Sequence, residues 1–377
     1  MNDKTFPNAP ALSNQVKDKG LQKNALSFLS NIVIGVASAA PAYSIASALG
    51  PIAGSASFAT PAIMIVAFLP MLFIAVAYYY LNRVDPDCGT TFSWVTLAMG
   101  PAAGWIGGWV LLITNVIVMP SMAVIAGQYS FLLFGDSNPS PILVTVAGVA
   151  WIAVLTAICY AGIEFSARTQ QLLLGTELAI LLLFAVMALA KVYTSSAPMG
   201  SMPVSLDWFN PFKVESYDDF LKAFLVAVFI YWGWDSSLAV NEETENPQTT
   251  PGVAAVTSTF LLVAVYVLVS AAAISFAGPR ALSTAAENAT GDIFALIGKT
   301  VLGSWLDGLL ILAVLTSAAA ATQTTILPAA RTALSMANAG AIPSRFAEIH
   351  PRFKSPGFAT LTMGAVSILW FVLLRCF

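Results

Sequence analysis

The stretch FIYWGWDSSLAVNEETENP, residues 229–247, begins as sequence fit for a lipid bilayer and then sets Gly233 and Asp235 where a spanning helix should run unbroken. Glycine weakens a helix by about 1 kcal/mol relative to alanine, and a carboxylate at membrane depth is expensive. A second break stands at GVASAAP, residues 35–41, where Pro41 removes a backbone donor and crowds the preceding turn. Irregular backbone inside a bilayer persists only where protein or a polar cavity satisfies it. Each break is therefore a candidate site, although either alone also fits a plain kink or a close packing contact.

The rest of the chain is of the same character. With 58% hydrophobic residues, 9% charged residues and a mean hydropathy of +0.80, it lies far from the soluble average of about 25% charged residues. It reads as an all-α polytopic membrane protein, with the lipid bilayer as its medium. The net charge of -3 is spread without a basic patch, which argues against nucleic acid as a partner. Cys88, Cys159 and Cys376 stand far apart with no CxxC pair, and the lone His350 falls in a basic connection as a solvated residue. Neither a disulfide framework nor a metal site is expected. No HExxH and no GxxxxGK[ST] pattern is present, so zinc-dependent hydrolysis and direct ATP coupling are not indicated, and neither enzymatic activity nor a cofactor is expected.

A hydrocarbon core about 30 Å thick takes about 20 apolar residues per helix. Nine such runs are expected, at 25–49, 56–81, 102–127, 141–162, 170–193, 219–241, 253–277, 303–330 and 357–376. The first contains Ala37-Ser38-Ala39, which imitates a signal-peptidase site, but the run is too long for a signal segment and is kept as a span. Lys4, Lys17, Lys19, Lys23, Arg83, Arg168, Arg331, Arg345, Arg352 and Lys354 fall on one side, the majority of the 16 basic residues. That bias places the N-terminus in the cytoplasm of a multi-pass protein of the cell membrane. The organisation expected is a tail at 1–24, a first unit of five helices at 25–193, an extracellular loop at 194–218 and a second unit of four helices at 219–377.

Interrupted first and sixth spans occupy corresponding positions of the two units, which points to a transporter built from inverted repeats. Pro41 suits the first position of a restarted helix, whose free amides attract a carboxylate. The carbonyl end before Gly233 suits an ammonium group. Together the two breaks predict a seat for a zwitterion.

At this point the sequence resembles the amino acid-polyamine-organocation (APC) permeases, from about residue 25 to the end. VIGVASAAPAYS stands where that family has its broken first helix, with Ser38-Ala39-Ala40 in place of the usual glycine-rich triplet. DPDCGTTFSWVTLAMGPAAGWIGGW is similar to the segment leading into its third helix, and FIYWGWD…NEETENP to its sixth helix and following loop. RTALSMANAGAIPSRFAEIHPRFKSP, residues 331–356, is similar to the loop after its eighth helix. The resemblance implies two inverted five-helix repeats, central binding of amino acids or amines, and coupling to H⁺, Na⁺ or exchange. Because the pattern has a tenth helix and the chain stops after nine runs, the second repeat is expected to be incomplete and the chain truncated. The main reading is a secondary permease for amino acids or amines, working by proton-coupled symport or exchange. The alternative is a transport-inactive remnant or membrane sensor of the same fold, and a homodimer is left open.

Site residues follow from position. Ser38, Ala39, Ala40, Pro41, Tyr231, Trp232, Gly233, Trp234 and Asp235 flank the breaks and are expected to bind substrate, together with Asn115, a polar residue in the third span. Asp235 reads equally as a cap for the second half of its helix. Glu177 falls near mid-membrane between Arg168 and Lys191, which makes it a functional hypothesis by default. It resembles the family's ionisable residue that stands in place of a bound sodium ion, and Ser317 and Thr322 are expected to join it in ion coupling, with Thr316 nearby. Glu242 and Glu243, at the helix end that disfavours negative charge, are expected to form a gate with Arg331.

Overall fold

The structure, a computed structural model, describes residues 18–376 except 199, 288–292 and 304–305. Lys4, Lys17 and most of the expected tail lie outside the described residues. Among those described there is no β-strand, only one isolated bridge between Leu26 and Thr244. The helices are α1 (Phe28–Ser38), α2 (Pro41–Ala56), α3 (Thr60–Val84), α4 (Thr91–Met99), α5 (Pro101–Leu133), α6 (Pro141–Tyr160) and α7 (Ile163–Tyr193). They continue with α8 (Tyr217–Ile230), a 3₁₀ segment (Trp234–Glu243), α9 (Thr250–Ala277), α10 (Pro279–Glu287), α11 (Ile293–Leu302), α12 (Asp307–Asn338) and α13 (Gly357–Cys376).

Among the described residues, eight segments are long and apolar enough to cross a membrane. The first, Phe28–Val84, has 57 residues, roughly 85 Å of helix at 1.5 Å per residue. It divides at the Ser57–Ala59 turn into two limbs, each the length of one crossing, which accounts for the nine expected runs.

Helix ends follow local chemistry. Ser27, Ser140 and Ser216 accept first-turn amides of α1, α6 and α8 through their hydroxyls, and Pro41, Pro101 and Pro141 open α2, α5 and α6, where no amide donor is needed. α12 sits in the middle, packed against α1, α2, α5, α6, α7 and α13. Of its most apolar window 83% is buried, against 33% for α5 and α6. The outer helices turn large apolar side chains such as Phe73, Ile106, Leu172 and Val186 outward, as lipid requires and water would not favour.

Three boundaries differ from expectation. The stretch 331–338, expected as loop, continues α12 to Asn338, because TALSMAN is rich in good helix formers; Arg331 therefore lies inside a buried helix. α7 begins at Ile163, directly after Gly162 at φ 115°. The stretch leading into the third span contains a helix of its own, α4, which ends at Gly100 with φ 92°.

Candidate substrate site and gate

α1 ends at Ser38, Ala40 takes left-handed angles (φ 47°, ψ 61°), and the helix restarts at Pro41 as α2. An alanine there costs roughly 1–2 kcal/mol, which the surrounding packing must offset. α8 ends at Ile230, and Gly233 turns the chain at φ 126° into the 3₁₀ segment. A Cβ on Gly233 would lie 2.6 Å from the carbonyl carbon and oxygen of Ser38 and 2.8 Å from the nitrogen of Ala39. The two breaks therefore touch, backbone to backbone. Beside that contact the hydroxyls of Ser38 and Ser236 are 2.8 Å apart. Glycine at 233 is fixed both by its left-handed angle and by the room it leaves for the other break.

Two cavities adjoin the junction. The larger, about 410 Å³, is lined by Ser38, Ala39 and Ala40, by Tyr43, Ser44 and Ser47 of α2, by Phe229 of α8 and by Thr325 of α12, and no charged residue is among its described lining. The smaller, about 70 Å³, is lined by Asn115 of α5, Thr90, Asp235, Ser236 and Thr332. Ser38, Val118, Trp232 and Thr325 line both. A volume of a few hundred Å³ is the usual size of a small-molecule site. A recess of about 520 Å³ between the end of α2, the 207–219 region and the start of α10 shares no residue with either.

Glu177 of α7 is fully buried, and its Oε1 accepts the Ala42 amide at 2.6 Å. The next amide, of Tyr43, donates to the Ser317 hydroxyl at 3.3 Å. The start of α2, expected to offer free amides, thus already holds one of the protein's own carboxylates. The other oxygen, Oε2, has no hydrogen-bond partner.

Where the chain enters α1, two groups of largely buried ion pairs stand together. Arg331 Nε donates to Glu243 Oε2 at 2.6 Å, both side chains almost wholly buried. Lys19 Nζ is 2.6 Å from Asp87 Oδ2 and 2.7 Å from Glu242 Oε1. Asp87, Cys88 and Glu242 bring their ligand atoms within 4.8 Å of one another, but with the Lys19 ammonium among them the group is an ion-pair cluster. Asp87 carries opposing influences, burial raising its pKa and Lys19 with its hydrogen bonds lowering it, and the net pKa lies below the ordinary value. Half-buried Asp85 is pushed up to about 6, first by burial and then by the charge of Asp87.

The amino acid permease family model matches residues 23–375. The chain belongs to that family. An uncharacterized transporter of Mycobacterium tuberculosis (strain ATCC 25618 / H37Rv) is 28% identical over 347 residues, 91% of this chain and 72% of that protein. The branched-chain amino acid permease BcaP of Bacillus subtilis (strain 168) is 22% identical over 320 residues, 81% of this chain and 65% of the relative. The crystal structure of MhsT in complex with L-phenylalanine has the same fold, with a TM-score of 0.65 at 15% identity over 94% of this chain and 80% of that one. This permease is thus an all-α membrane transporter of the APC family, not an enzyme.

Within the permease, the expected site residues divide. Ser38, Ala39, Ala40, Trp232, Gly233, Asp235 and Asn115 line one or both cavities, while Pro41 serves as the first residue of α2. Tyr231, expected in the wall, instead points into the core: its hydroxyl donates to the Met64 carbonyl and its ring meets Phe68 and Tyr266. Trp234 likewise packs on Tyr78 in a buried cluster with Trp94. Thr322 donates to Ala318 of its own helix, and Thr316 does the same toward Leu312 and Ala313. Thr325, one turn on, lines the cavities instead. No side chain caps the 3₁₀ segment by a hydrogen bond, and Asp235 lines the smaller cavity instead. His350, expected to be solvated, is half-buried, stacks on Phe353 and accepts backbone amides at Nδ1. Lys19 was missed, because a lysine in a polar tail reads as a solvated charge.

Proposed function

We propose that this permease carries amino acids or related amines by alternating access around the junction of its two breaks, and that it moves a proton with its substrate. The observation that carries this reading is the Glu177 carboxylate, seated on the first free amide of α2. A helix N-terminus attracts one negative charge, and a substrate carboxylate drawn to the same end meets a second. Two carboxylates sharing one small buried place favour protonation of one of them. The proton goes to Oε2, the oxygen without a partner, and the neutral Glu177 then tolerates the substrate's charge. Substrate and proton bind together, which is the condition for symport.

The uncharged lining of the larger cavity supports an uncharged side chain there, and Asp235, in the lining of the smaller one, supports a substrate ammonium on that side. The relatives' names, a branched-chain amino acid permease among them, agree with that chemistry.

The test is uptake of a panel of labelled amino acids and amines into proteoliposomes, with and without an inward proton gradient. The wild type should accumulate substrate uphill only with the gradient. Glu177→Gln should retain exchange of internal for external substrate and lose uphill accumulation; gradient-driven accumulation unchanged in that variant would remove Glu177 from coupling.

A further inference from the structure

We infer that residues 18–26 are a working part of the gate on the tail side, with Lys19 as the shared cation that holds the closed state and covers Cys88. This rests on the alternating-access reading for its purpose, but not for its geometry.

The Lys19 side chain is only 3% exposed. Its ammonium reaches Asp87 in the connection between α3 and α4, Glu242 at the end of the 3₁₀ segment and, at 3.5 Å, the Ser335 hydroxyl of α12. One side chain thus joins three elements that are far apart in sequence. Cys88 lies beneath it, fully buried, with its Sγ 3.5 Å from Lys19 Nζ and its amide donating to Glu242. Leu21 closes the same place with an apolar contact to Cys88 and Leu334.

The attachment is built to release as a unit. Asp18, Lys23 and Asn24 on either side are exposed, and the segment runs straight into α1, one half of the first break. Ala25 and Leu26 donate their amides to the Glu243 carbonyl, and Glu245 donates to that of Leu26, so the strap is tied to the end of the second break as well. A swing of α1 therefore pulls Lys19 out of its seat. Asp87 and Glu242 then face each other with no cation between them, and like charges at that distance push the connection and the 3₁₀ segment apart. The arrangement has two states, one closed by the ammonium and one opened by the repulsion it had masked.

Cys88 supplies the readout. In purified permease with Cys159→Ala and Cys376→Ala, a charged maleimide should label Cys88 slowly when Lys19 is present. Lys19→Met should label at least tenfold faster, and Lys19→Arg should stay within about threefold of the parent. Adding Asp87→Asn and Glu242→Gln to Lys19→Met removes the repulsion and should return labelling toward the parent rate. Thermal unfolding of each variant separates opening from misfolding. If Lys19→Met does not fold, Asp87→Asn and Glu242→Gln alone carry the test, each expected to speed labelling. Labelling unchanged in a folded Lys19→Met, with Cys88 reactive after denaturation, overturns the inference. Because labelling needs no transport, fast labelling without uptake of any tested substrate would leave the latch and sink the transport reading, whereas uptake with unchanged labelling would do the reverse.

Discussion

Gly233 and the Glu243–Arg331 pair show two ways in which one residue holds this site. At 233 the backbone angle costs a residue with a side chain about 1–3 kcal/mol, and the added methyl would also press on the Ser38 carbonyl, a backbone group that cannot rotate away. Gly233→Ala should therefore lower the melting temperature in detergent and cut uptake by more than tenfold, because relief of the clash separates the two breaks; normal uptake would mean that their contact is dispensable. The ion pair is held differently. Glu243 Oε1 has no hydrogen-bond partner, so the Arg331 guanidinium is what compensates the buried charge. Removing one partner of such a pair typically costs about 3–5 kcal/mol, whereas replacing both is often nearly neutral. Arg331→Met and Glu243→Gln should each destabilise strongly, and the double variant should recover most of the loss; additive losses in that cycle would show that the pair is not the unit.

At the scale of the elements, small residues set how closely the helices approach. A Cβ on Gly127 of α5 would lie 2.7 Å from the Val144 carbonyl and 3.1 Å from the Gly148 nitrogen of α6, both backbone atoms, whereas one on Gly175 of α7 meets nothing within 4 Å. Without a hydrophobic drive between helices in lipid, such close contacts carry much of the association. Gly127→Val should cost about 1–3 kcal/mol by overpacking and Gly175→Val much less, read as melting temperatures in the same detergent; equal effects would mean that helix propensity dominates instead. Much of this scale was legible in advance. Apolar runs of bilayer length gave the spans, and Gly and Pro marked both breaks. What escaped has a physical cause: a broken helix loses its periodicity, so three neighbouring aromatics could not be sorted into the one that faces the cavities, Trp232, and the two that face the core, Tyr231 and Trp234. The α12 extension was hidden because Arg331, although expected to pair with Glu242 or Glu243, opens a stretch that reads as a basic loop until that pair is seen to be buried.

At the scale of the whole molecule, these contacts define a direction. α2 and α8 lie on the far side of the junction from the tail, and the larger cavity runs along both, past Ser47, which is exposed. On the tail side stand three largely buried ion pairs, Lys19 with Asp87 and with Glu242 and Arg331 with Glu243, together with the strap at 18–26. An alternating-access cycle of the kind proposed would take up substrate from the side on which the larger cavity reaches exposed Ser47. If the N-terminus is cytoplasmic, as the distribution of basic residues favours, that side faces out. Ser47→Cys, in a background with Cys88, Cys159 and Cys376 replaced by alanine, should then react with a membrane-impermeant thiol reagent added to intact cells. A transported amino acid should slow that reaction, because it fills the cavity that Ser47 lines. Labelling confined to inverted vesicles would reverse the orientation, and labelling from outside that no transported substrate slows would place the substrate elsewhere than the larger cavity.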